Sequence, residues 1–105
     1  VPPISDTYIV REIRKTSEFD KWFDGLKDKQ AQHRIDVRIF RLGLGLPGDV
    51  KPVGQGVSEL RIDCGPGYRV YFTQQGKILI FILAGGDKST QAKDIKAAIE
   101  LAKNL

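Results

Sequence analysis

The spacing of apolar residues changes several times along the chain, and each change marks an element. Residues 7–13 (TYIVREI) are dense in β-branched side chains and predict a first strand. From Ser17 the apolar positions Phe19, Trp22, Phe23 and Leu26 fall at i, i+3, i+4 and i+7, the period of one helix face. Ser17 stands as N-cap with Asp20 three residues on, in the manner of a capping box. Ala31, Ile35, Ile39 and Leu42 repeat that period on a second helix. Its outer face carries Arg34, Asp36, Arg38 and Arg41, and Gly43 ends it. The following DVKPVGQG, with Gly54 and Gly56 marking a turn, reads as loop.

In ELRIDCGPGYRVYF (residues 59–72) the period becomes two, and the pattern predicts a hairpin. Leu60, Ile62 and Cys64 share one face with Tyr68, Val70 and Phe72, while Glu59, Arg61 and Asp63 share the other with Arg69, Tyr71 and Thr73. A three-residue loop Gly65-Pro66-Gly67 sets Ile62 against Val70 and Leu60 against Phe72. That register places Arg61 opposite Tyr71 and Asp63 opposite Arg69, whereas a one-residue slip would mix the faces. KILIFILA (77–84) is apolar on both faces, which predicts a central strand. A last helix, capped at Ser89 or Thr90, turns Ile95, Ala98, Ile99, Ala102 and Leu105 inward. The order β-α-α-β-β-β-α defines an α+β fold with a small antiparallel-rich sheet, two N-terminal helices on one face and a C-terminal helix. The sheet face bearing Glu59, Arg61, Arg69 and Tyr71 is expected to stay open.

Composition narrows the class. The 105 residues suit one domain, 1–105, and 41% hydrophobic with 29% charged residues is a globular balance. No apolar run approaches the roughly 18 residues of a membrane span, and VPPISD is too polar for a signal peptide, so a cytoplasmic chain without membrane partners is expected. Cys64 and His33 are the only residues of their types, too few soft ligands for structural zinc, and neither metal nor cofactor is expected. Cys64 reads as a small buried hydrophobe, His33 as a solvated surface residue and Trp22 as core. GLGLPG (43–48) matches G-x-G-x-x-G letter for letter. It leaves a helix and enters a loop, however, whereas a dinucleotide site must leave a strand and open a helix, so it reads as a helix exit.

The net charge of +4 mildly favours an anionic partner, and placement must decide. Arg61 and Arg69 on the open face, Lys88 beyond the central strand, and Tyr68 and Tyr71 beside them supply guanidinium forks for phosphate and rings for unpaired bases. The plainer reading is a polar sheet face with ordinary cross-strand pairs. The runs SELRID, GPGYRVYF and GGDKSTQ, with REIRKTSEFDKWFDGLKD and GDVKPVG before them, resemble the HigB-like addiction-module killer subgroup of the RelE/ParE toxin superfamily, from about Tyr8 to the C-terminus. The resemblance implies a compact toxin that cuts mRNA on the ribosome, an endoribonuclease neutralised by a cognate antitoxin of helix-turn-helix type, with operator DNA bound only through that antitoxin.

Carried over residue by residue, Arg69 matches the arginine on the scissile phosphate, with Tyr71 two positions on, Arg61 on the neighbouring strand, and Lys88 near a basic catalytic position. Glu59 stands where related toxins carry lysine, and no aromatic residue follows Lys88 to match their proton-handling tyrosine. The expected catalytic set is therefore Arg69, Arg61, Lys88, Tyr71 and Glu59. Tyr68, Arg69, Lys51 and Arg38 are the expected RNA contacts. The alternatives are the ParE-like poisoning of DNA gyrase and a non-catalytic module that binds only antitoxin and DNA.

Overall fold

The computed structural model describes residues 10–105. Its elements are β1 (Glu12–Lys15), α1 (Ser17–Asp24), α2 (Lys29–Gly43), β2 (Val50–Gly54), β3 (Val57–Ile62), β4 (Tyr68–Gln75), β5 (Leu79–Asp87), a 3-10 turn (Lys88–Thr90) and α3 (Gln91–Lys103). Five strands form one sheet in the order β1-β5-β4-β3-β2. β1 runs parallel to β5 and every other pair is antiparallel. The first strand thus begins at Glu12, and residues 7–9 of the expected strand lie outside the described residues.

Both N-terminal helices start at side-chain caps, though not at the expected one. Thr16, not Ser17, caps α1: its Oγ1 accepts from the Phe19 N–H at 3.1 Å and donates to the Leu83 carbonyl at 2.6 Å. One hydroxyl therefore caps the helix and ties its start to β5. Asp28 caps α2, accepting from the Ala31 N–H at 3.1 Å. Gly43 is the last residue of α2, and Gly45 and Gly48 follow in a loop at positive φ, so GLGLPG is a helix exit.

The stretch expected as loop holds a strand. Val50–Gly54 pairs with β3, and Gly54 faces Val57 across a two-residue turn. Gln55 (φ 52°) and Gly56 (φ 80°) both occupy the left-handed region, the requirement of a tight primed hairpin turn. Pro52 obscured the strand. It is tolerated because β2 is an edge, where a missing donor breaks no interior ladder.

The β3–β4 hairpin keeps its faces but not its register. Leu60 faces Val70, Ile62 faces Tyr68, Glu59 faces Tyr71 and Arg61 faces Arg69. The slip from the expected pairing is two residues, which preserves every inward side chain. Residues 63–67 form the connection, closed by the Gly67 N–H on the Cys64 carbonyl at 3.1 Å.

Hydrophobic cores lie on both faces of the sheet. On one, Phe19, Ile35, Ile39 and Leu42 of α1 and α2 meet Leu60, Ile62, Val70, Phe72, Ile80 and Ile82, with Trp22 and Cys64 packed at the margin. On the other, Ala98 of α3, flanked by Ile95, Ile99 and Ala102, meets Val57, Tyr71, Leu83 and Ala84. The face expected to stay open is therefore covered by α3, because the apolar stripe of that helix needs a sheet to bury against. Leu105, expected inward, is half exposed beyond the helix end. β5 runs between β1 and β4 as an interior strand, and its register slips between the Tyr71–Ala84 and Phe72–Ile82 pairs. The extra residue, Leu83, lets Leu83 and Ala84 both enter the α3 core, and alternation then turns Gly85 toward the other face.

Gly85 lies directly under the Trp22 indole, where a Cβ would collide with the ring. Gly85→Ala should therefore lower stability by about 1–3 kcal/mol or more through overpacking. Urea denaturation followed by the fluorescence of Trp22, the only tryptophan, reads the change. An unaltered midpoint would contradict this packing.

Candidate active site

Beside the start of α3 the sheet opens into a cleft of about 480 Å³. Arg61, Arg69, Lys88, Asp49 and Asp63 line it, and the turn of residues 65–67 bounds it. Arg61 and Arg69 arrive by strand pairing: they sit directly opposite each other on β3 and β4. Like charges so placed repel, so the arrangement requires anions close by.

Each arginine has one. Arg61 donates through Nε (3.0 Å) and Nη2 (2.7 Å) to Asp49 Oδ1, and these bonds raise its already high pKa. The Asp49 loop is in turn fixed to β3 by the Arg61 N–H on the Asp49 carbonyl at 3.0 Å. Arg69 lies with Nε 3.5 Å from Glu59 Oε1, an ion pair without a hydrogen bond, and its Nη1 donates to the Tyr68 carbonyl at 3.3 Å. The sides of this pair are unequal: the Glu59 side chain is 1% exposed and that of Arg69 14%.

Lys88 enters from the turn after β5. Asp87 shapes that turn by accepting from the backbone N–H (2.8 Å) and the hydroxyl of Ser89, and these bonds hold its carboxyl below the ordinary value. Gly67 lies beside Lys88 with φ 84°, a left-handed conformation that suits glycine.

The other expected site residues fall elsewhere. Tyr71 and Glu59 are enclosed beneath α3, not on an open face. The Tyr71 hydroxyl donates to Glu59 Oε2 at 3.3 Å. Burial, followed by the Glu59 charge, pushes the phenol well above the usual tyrosine range, opposite to the lowering that a proton donor would need. Tyr68 points to the opposite face from Arg69 and stands edge-on to Trp22 at 6.1 Å. Burial and then Asp28 raise its pKa, and it does not flank the cations as expected. Lys51 is exposed on β2 opposite Glu59, outside the cleft lining.

Arg38 is no solvated face residue. It donates from α2 to the carbonyls of Arg61 (2.7 Å), Pro47 (3.1 Å) and Asp49 (3.4 Å), clamping the loop that carries Asp49. The expected Asp63–Arg69 pair is absent, since the two-residue slip leaves Asp63 in the connection. Sequence reasoning missed Asp49, which it placed in a featureless loop, and Gln91, whose Nε2 donates to Glu59 Oε2 at 2.8 Å. It also missed that the solvent side of α2 displays an apolar residue, Phe40, at 67% exposure. His33 is exposed as expected.

A sheet packed between two N-terminal helices and a C-terminal one, with a cationic cleft at one end, is a small α+β fold of RelE type. The profile of the family described as "Phage derived protein Gp49-like (DUF891)" matches residues 21–105, and the chain belongs to that family, which is of RelE/HigB-like toxin type. An uncharacterized protein of Haemophilus influenzae is 51% identical over 94 residues, covering 90% of this chain and 95% of that protein. Among the described residues no helix is long and apolar enough to cross a membrane.

Removing the partner of a buried charge exposes the strength of this arrangement. Arg69→Ala should cost about 3–5 kcal/mol, the range for leaving a buried charge uncompensated, because Glu59 is enclosed, and Glu59→Ala should cost less, because the Arg69 it leaves lines the open cleft. Asp63→Ala should stay within about 0.5 kcal/mol. Equilibrium unfolding of the variants ranks them, and equal small effects would contradict the buried pair. The Asp87 cap adds a pH dependence. Its folded pKa is depressed, so its contribution is complete above the ordinary value of 3.8 and fades as pH falls through the folded value. In Asp87→Asn, acid titration of the unfolding midpoint should lose that component.

Proposed function

We propose that the chain is the toxin of a toxin–antitoxin pair and that it cleaves mRNA on the ribosome. The observation that carries this reading is the convergence of Arg61, Arg69 and Lys88 on one open cleft. A phosphodiester in the cleft would meet guanidinium groups from adjacent strands and an exposed ammonium from the turn. Family membership supports the toxin class and, in general, an antitoxin partner. A helix-turn-helix antitoxin that alone contacts operator DNA completes the proposal.

The chemistry needs no resident metal if the RNA supplies its own nucleophile. The 2′-hydroxyl attacks the adjacent phosphorus, a 2′,3′-cyclic phosphate forms, and the 5′-oxygen leaves with a proton. The protein must align the attack, accept the hydroxyl proton, stabilise the added charge on the phosphorane and protonate the leaving group. Arg69 and Arg61 suit the charge. Lys88 suits the leaving oxygen, because it lines the cleft and is exposed. The carboxylates lining the cleft are Asp49, engaged by Arg61, and Asp63. The base therefore falls to Asp63 in this reading, since Glu59 is enclosed. A positioned acid or base contributes about 10²–10⁴-fold, and a ribosome that holds the message in line supplies alignment.

In a reconstituted translation system the protein should cut message only while it is being translated, with chelator acting no further than the ribosome's own requirement for magnesium. Arg69→Lys keeps the charge beside Glu59 but replaces a planar fork by a point charge. Its cleavage should fall by about two orders of magnitude, the cost of a misplaced reacting group, with stability near that of the parent. Mapping RNA ends reads the first outcome, and a supercoiling assay with DNA gyrase runs beside it. Intact message with inhibited supercoiling would replace this reading by gyrase poisoning. Intact message with neither effect would leave a binding module.

A further inference from the structure

The Arg69 side chain lines the cleft but is largely enclosed, and while its Nη1 is held by the Tyr68 carbonyl, another group must set the direction of its Nε end. The buried Nε of Arg69 makes no hydrogen bond. The group facing it is Glu59 Oε1, at 3.5 Å. A pair held by charge without a directional bond follows its carboxylate wherever that carboxylate lies. The location of Glu59 is fixed through its other oxygen, Oε2, which accepts from Tyr71 at 3.3 Å and from Gln91 at 2.8 Å. Tyr71 belongs to the same strand as Arg69, whereas Gln91 is the first residue of α3 and comes from a separate element.

The start of α3 is itself pressed onto the sheet beside Arg69. Gly86 pairs across with Arg69, and the Asp94 carboxylate lies so close over Gly86 that a Cβ would collide with it. Thr90 Oγ1 donates to that carboxylate at 2.5 Å. The first turn of α3 is therefore seated at the strand position opposite Arg69, and Gln91 projects from that seat to Glu59.

We propose that Gln91, acting through Glu59, is a positioning residue for Arg69, so that docking of α3 aims the central guanidinium of the cleft. The consequence for cleavage rests on the proposed function, whereas the geometric consequence does not. Gln91→Met keeps the length of the side chain and removes the donor. The helix retains its apolar stripe, and Glu59 retains Tyr71 and Arg69.

The test uses the whole chain labelled with ¹⁵N. The Arg69 Nε–H resonance is identified by its loss in Arg69→Lys. In the parent protein it should be protected from exchange with water. In Gln91→Met it should shift and exchange faster while the melting temperature stays close to the parent's. Glu59→Gln should perturb the same resonance. The double variant should be no worse than Glu59→Gln alone, because a residue that acts through another adds nothing once that other is gone. If Glu59→Gln does not fold, Gln91→Met alone decides. In the translation assay kcat should fall about ten- to a hundredfold in Gln91→Met with KM little changed, the mark of lost orientation and not of lost binding.

An Arg69 resonance unchanged in Gln91→Met, or fully additive effects in the double variant, overturns the proposal. If the parent protein cuts no message but the resonance responds as described, the nuclease reading fails and the positioning stands.

Discussion

Arg61 and Arg69 face each other across adjacent strands, and the rest of this end of the molecule answers that repulsion. The Asp49 loop is drawn onto Arg61 and clamped by Arg38 from α2, so the exit of one helix is organised by a charge on a strand. Glu59 sits two residues before Arg61 on β3, on the same side of the sheet, and answers Arg69 from inside the protein. A carboxylate there is tolerable only if enclosed donors meet it, which Tyr71 and Gln91 do. Covering Glu59 with α3 and keeping Arg69 in place are thus one requirement.

The two-sided sheet makes this possible. Without a helix on the second face Glu59 would be hydrated, and its pairing with Arg69 would be worth what a surface pair is worth, about 0.2–1 kcal/mol. The bulge at Leu83 gives that face two successive apolar residues for α3 and returns Gly85 to Trp22 on the other. One irregular residue in β5 therefore serves the packing of α1 and α3 at once. At the hairpin end α3 has just begun, and the sheet emerges from cover where Arg61 and Arg69 meet.

Much of this was legible in the chain. The helical periods of Phe19, Trp22 and Phe23 and of Ala31, Ile35 and Ile39, and the alternation around residues 65–67, are imposed by burial, and burial is what an apolar pattern records. The face assignments survived a wrong register for the same reason: a slip of two leaves alternation unchanged, so nothing in the pattern separates the pairings. The turn settles them, through glycines at positive φ whose consequence is not readable from composition. β2 was hidden by an edge proline. The cover over Glu59 and Tyr71 was hidden because these residues look polar, and the donors that make their burial tolerable lie 12 and 32 residues away. Arg61, Arg69 and Lys88 were nominated from sequence and do share a cleft, while Tyr68 stands against Trp22 and Arg38 donates to the Arg61 carbonyl.

The cations of the cleft are answered from one side only. Arg61 spends its Nε and Nη2 on Asp49, Arg69 turns its buried Nε toward Glu59, and Lys88 is exposed. Folding has brought these cations together against their mutual repulsion and has answered each from behind or from the side. The space between them is left to solvent. A carboxylate placed there by the sequence would have stabilised the fold further and closed the site. Asp63 is the nearest candidate by sequence, and the two-residue slip of the hairpin holds it in the connection instead of opposite Arg69. The register that sequence patterning could not resolve is therefore the feature that keeps Asp63 from standing opposite Arg69.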